Sequence, residues 1–126
     1  MNLHRLSYIQ AIVTLATFVL IIISPAAVPQ ALEIALLPNQ FLLPYLIGAN
    51  ELALSFLSFK AFKMKDPNTL RLLSMFFIVF HASTGLVCAY ALIQGGSIKI
   101  IGNIGMRVIM VSMFFYYGVI KTESQK

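Results

Sequence analysis

The 126-residue chain is 60% hydrophobic and only 10% charged, with a formal net charge of +5. Its mean hydropathy is +0.89, and apolar blocks long enough to cross hydrocarbon, which takes about 20 residues each, fill nearly all of it. The chain therefore reads as an integral membrane protein with little left for a soluble domain, and its basic residues lack the folded polar surface that nucleic-acid binding requires.

The first block, 6–24, follows Arg5 and ends at the small-residue stretch Ser24-Pro25-Ala26-Ala27. That outline also fits a cleavable signal peptide. Gln10, Thr14, Thr17 and Ser24 recur at helical spacing on one face, however, as a helix packed in a bundle requires, and the segment is read as a retained span. Pro25, Pro29 and Pro38 then bracket 30–37, which is too short to span. Pro29 suits the first turn of a short helix lying at the membrane interface with Glu33 toward water. The second block covers 41–62, with Pro44 near its first turn. Asp66-Pro67 reads as an N-cap followed by proline at the first helical position, opening the third helix, whose apolar block is 72–93. Gly95-Gly96-Ser97 makes a tight turn into the fourth block, 100–120.

The whole chain, 1–126, thus reads as one all-α, four-span membrane bundle. Arg5, Lys60, Lys63, Lys65, Arg71, Lys121 and Lys126 flank the spans on one side and Lys99 alone on the other, with Arg107 left inside. Seven against one places both termini in the cytoplasm of a multi-pass inner (plasma) membrane protein. Tyr8, Tyr116 and Tyr117 at the inner boundary and Tyr45 and Tyr90 near the outer one agree with that orientation.

Glu51 stands near the middle of the second span, where a charge costs roughly 2.5–3.5 kcal/mol unless it finds a partner or water. Counted from the outer ends of their spans, Glu51 and Arg107 both lie roughly 14 Å deep in a core roughly 30 Å thick. Their helices run in the same direction, so the expectation is an ion pair at one level. Polar stripes extend the pair: Gly48, Glu51, Ser55 and Ser58 on the second span, Ser74, His81, Thr84, Gly85 and Cys88 on the third, Asn103 and Arg107 on the fourth. The candidate intramembrane cluster is therefore Glu51, Arg107, His81, Asn103, Ser55 and Thr84, with His81 joining through Ser55 or water. Cys88 is the single cysteine, cannot form an intrachain disulfide, and reads as a small packing residue.

No paired-cysteine or His-x-x-x-His metal spacing, glycine-rich phosphate loop or nucleophile triad is present, so the sequence names no metal, no cofactor and no catalytic residue. Between Tyr45 and Val87, the runs Ile47-Gly48-Ala49-Asn50-Glu51-Leu52-Ala53-Leu54, Asp66-Pro67, Leu70-Arg71 and Phe80-His81-Ala82 occur in order. This third of the chain resembles the broad group of small bacterial four-helix membrane proteins that includes the DoxX-like families. The resemblance implies a Gly-containing second helix, a basic inner loop and a third-helix histidine. The first helix lacks the Gly and Lys pattern of DoxX proper, so a quinone-linked oxidoreductase role does not transfer, and it lacks the first-helix glutamate of small multidrug exporters. The expected function is a non-enzymatic accessory or helper whose partners are the bilayer and either a second copy of itself or a larger membrane complex. The rival readings are a proton-coupled transporter of a small amphipathic or anionic solute and an intramembrane enzyme acting on a sterol, isoprenoid or quinone.

Overall fold

The computed structural model describes residues 2–121, and these are all-helical. Helix α1 runs Leu3–Ile23, the short α2 Ala27–Ala31, α3 Leu42–Lys63, α4 Pro67–Ile93 and α5 Ile100–Phe114, the last continued by a π-helical stretch Phe115–Ile120. A 3₁₀ turn, Pro38–Gln40, leads into α3. Four of these segments are long and apolar enough to cross a membrane, and the protein is a multi-pass membrane bundle.

Local chemistry sets the boundaries. The Asn2 side chain accepts from the Arg5 amide and starts α1 three residues before the apolar block begins. Asp66 accepts from the Thr69 amide at 2.8 Å, with Pro67 at the first helical position, so α4 begins at the expected cap and ahead of its apolar block at 72. Gly95 takes φ 92°, closing the turn after α4, where the Gly96 amide donates to the Ala91 carbonyl at 2.9 Å. The short interfacial helix falls earlier than 30–37. It is a single turn at Ala27–Ala31, with Pro29 in it, and Glu33 at φ 62° ends any continuation.

Going round the bundle the order is α1, α3, α4, α5, with the closest packing between α1 and α3 and between α4 and α5. The molecule is thus two antiparallel helix pairs. In the half that carries Asn2 and Lys121, here the terminal half, the pairs merge in a core of Leu3, Leu6, Leu54, Ala61, Leu70, Phe77 and Phe114. Phe77 and Phe114 meet at 4.9 Å between ring centroids. Small residues bring helices close: a Cβ at Gly118 would overlap the Ser74 hydroxyl, which fixes the π-helical stretch against α4.

Toward the opposite, distal end the pairs part. Every buried side chain of α4, namely Leu70, Ser74, Phe77 and His81, lies in its first fifteen residues, and α5 buries only Ile100 and Phe114. Distal burial on α1 and α3 is mutual, with Gly48 set against Ile21 and Phe18. The pairs meet again at the distal surface, where exposed Glu33 accepts from Ser97 Oγ at 2.7 Å and pairs with Lys99 Nζ at 3.0 Å. This clasp joins the α2 connection to the α4–α5 turn.

Candidate functional site

The polar cluster sits where the two pairs begin to separate. In ring order α1 lies diagonally across from α4, and α3 across from α5. Along the first diagonal, His81 Nε2 and Gln10 Oε1 are 3.3 Å apart, both residues being buried. From the side, Arg107 Nη1 reaches His81 Nδ1 at 2.9 Å. A guanidinium only donates, so Nδ1 is the acceptor and the ring hydrogen lies on Nε2, which donates to the Gln10 carbonyl oxygen. The imidazole is the neutral Nε2–H tautomer, and one histidine ties together α1, α4 and α5.

Arg107 is held along its length. Its stem passes Gly85, where an added Cβ would lie 3.4 Å from Arg107 Cβ. Its Nε donates to Asn103 Oδ1 one turn back at 3.4 Å, and its Cζ stands 5.6 Å from the Phe80 ring centroid. Asn103 Oδ1 also accepts from Cys88 Sγ at 3.6 Å, so Cys88 closes the chain between α4 and α5 instead of serving only as apolar filling. His81 is backed by Phe114, nearly parallel to it at 6.1 Å.

The structure brings His81, Arg107 and Asn103 together as expected and departs from the other expectations. Glu51 and Arg107 make no direct ion pair. Glu51 is half-buried on α3, across the second diagonal from Arg107. Gly85 admits the Arg107 stem against α4, where its guanidinium meets His81, so His81 takes the place assigned to the carboxylate. Ser55 does not link His81 to the pair; its hydroxyl donates to the Ala11 carbonyl at 2.9 Å and fastens α3 to α1. Thr84 donates to the Phe80 carbonyl of its own helix at 2.8 Å and joins no other member of the cluster.

Gln10 is the member that the sequence reading left outside the cluster. Its signal was its place on the polar face of α1 with Thr14, which is buried and donates to the Gln10 main-chain carbonyl at 2.9 Å. Among the described residues no group of three His, Cys, Asp or Glu is placed to hold a metal ion. Chemically, the arrangement holds a cation at the boundary of the packed half by neutral acceptors, with a carboxylate on α3 that has no direct partner among the described residues. No family model, curated protein or solved structure matches the chain.

Proposed function

We propose that this protein is a small non-enzymatic membrane component, an accessory subunit or helper, whose midplane polar cluster fastens two helix pairs into one bundle. The observation that carries this reading is the use of both ring nitrogens of His81 in bonds that join α1, α4 and α5. A histidine so engaged is committed to structure, because the Arg107 bond is lost when Nδ1 takes a proton and the Gln10 bond when Nε2 gives one up. The seven-to-one distribution of flanking Lys and Arg supports an inner (plasma) membrane location with both termini cytoplasmic. Kinship with the DoxX-like group belongs to the same proposal and rests on the motifs between Tyr45 and Val87 alone.

One observation favours a second reading. Glu51 has no hydrogen bond and no direct ion pair among the described residues and is half-buried beside the parting helix pairs. A carboxylate in that position suits a group that takes up and releases a proton while a small amphipathic or anionic solute crosses. Proteoliposomes loaded with a pH-sensitive dye and given a pH gradient separate the two readings. The structural reading expects wild type and Glu51→Gln to dissipate the gradient at the same rate as empty vesicles. Dissipation several-fold faster in wild type and abolished in Glu51→Gln makes proton-coupled transport the leading function.

A further inference from the structure

We propose that Gln10, Ser7 and Ser58 enclose a bound water molecule between α1 and α3, and that this water extends the His81–Arg107 hydrogen-bond chain to α3. Ser7 and Ser58 are fully buried and Gln10 is 3% exposed. Ser7 Oγ, Ser58 Oγ and Gln10 Nε2 find no hydrogen-bond partner among the protein atoms. A buried donor or acceptor left so costs about 1–3 kcal/mol, so three in one small region call for a common partner.

They lie in one region. His4 Nδ1 donates to the Phe62 carbonyl at 3.0 Å and Ser55 Oγ to the Ala11 carbonyl at 2.9 Å. Both bonds fit a single antiparallel register that sets Ser58 level with Tyr8, between Ser7 and Gln10. Ser7 and Gln10 are three apart on α1 and share its buried face. The three residues therefore fall within about one helical turn of one another along the α1–α3 contact.

The orientation of Gln10 is fixed from the other side. Arg107 makes His81 Nδ1 an acceptor, so His81 Nε2 carries the hydrogen and the Gln10 carbonyl oxygen must face it. Turning the amide over would set donor against donor. The Gln10 NH₂ group is left pointing away from His81 with hydrogens to give, and the two serine hydroxyls have lone pairs to accept. A water accepts from Gln10 Nε2 and donates one hydrogen to each serine, three bonds in all, the usual number for a buried water. The polar chain then runs from Cys88 and Asn103 through Arg107, His81, Gln10 and the water to Ser7 and Ser58.

Two measurements test this. In the intact protein, selectively labelled at glutamine side chains, the Gln10 NH₂ protons should show magnetisation transfer from water although the residue is buried. Ser7→Ala and Ser58→Ala should each lower Tm by about 2–8 °C, the double variant should lose less than the two added together, and the His81 ring ¹⁵N shifts should move in each. Serine hydroxyls without a partner give the opposite sign, since removing an unsatisfied polar group is neutral or stabilising. An unchanged or raised Tm in the single variants, or the absence of a water signal at Gln10 in wild type, overturns the proposal.

Discussion

The terminal and distal halves of this bundle are built from the same four helices and similar residues, yet they are held together differently. In the terminal half, Phe77, Phe114, Leu6 and Leu54 interlock and Gly118 lets the end of α5 lie against Ser74. In the distal half each helix packs on its own partner, and Leu86 and Val87 of α4 are 72% and 68% exposed. Lipid supplies no hydrophobic drive between helices, so joining the pairs depends on shape and hydrogen bonds. Shape does that in the terminal half. At the boundary, hydrogen bonds through His81 do it, and at the distal surface a single carboxylate clasp.

The largest expected effect tests whether packing is confined to one half. Phe77→Ala removes a fully buried ring from between α4 and α5 and should destabilise by about 3–5 kcal/mol. Leu86→Ala, on the same helix in the distal half, should stay within about 0.5 kcal/mol. Unfolding in mixed detergent micelles measures both, and equal losses would remove the distinction between the halves.

The boundary is next in size. His81→Ala leaves a donor of Arg107 and the Gln10 carbonyl oxygen without their partner and should cost about 1–3 kcal/mol or more, since one of the groups is charged. In double-mutant cycles, His81→Ala with Arg107→Gln should show a coupling of about 0.5–3 kcal/mol, larger than that of Glu51→Gln with Arg107→Gln. The reverse order would restore Glu51 as the partner of Arg107 and break the assignment of the cluster to α1, α4 and α5.

That reversal marks the limit of what the sequence made legible. The spans followed from the apolar blocks, and Asp66-Pro67 and Gly95 marked their boundaries because capping and left-handed turns are local events. Asn103 and Arg107 belonged together because they are one turn apart on the same helix. The partner of Arg107 was not local. Counting residues from the span ends put Glu51 and Arg107 at one depth, but depth does not say which helices are adjacent. The order round the bundle sets α3 and α5 across a diagonal, and Gly85, which reads in the sequence as one more small residue, admits the Arg107 stem beside His81. Gln10 was visible as a polar residue on α1, but that its carbonyl oxygen serves His81 follows only from the diagonal contact.

The smallest effect concerns the distal clasp and is read through pH. Glu33 is exposed; the Ser97 hydroxyl and then Lys99 hold its carboxyl below the ordinary value of 4.5. A carboxylate whose value is lowered in the folded protein contributes its stabilisation in full above the unfolded value. The contribution is lost as pH falls through the lower folded value, so the clasp should be intact at neutral pH and open only in acid. Because both partners lie in water, the effect on overall stability is slight and is further screened by salt. Geometry is the more sensitive measure. Spin labels at Ala35 and Gln94, in a Cys88→Ala background, should report a narrow distance distribution at neutral pH that broadens on acidification. Glu33→Gln should give the broad distribution at every pH. A distribution that stays narrow in acid and in Glu33→Gln would mean that the distal ends are held by something other than this carboxylate, and that the two halves differ less than their packing implies.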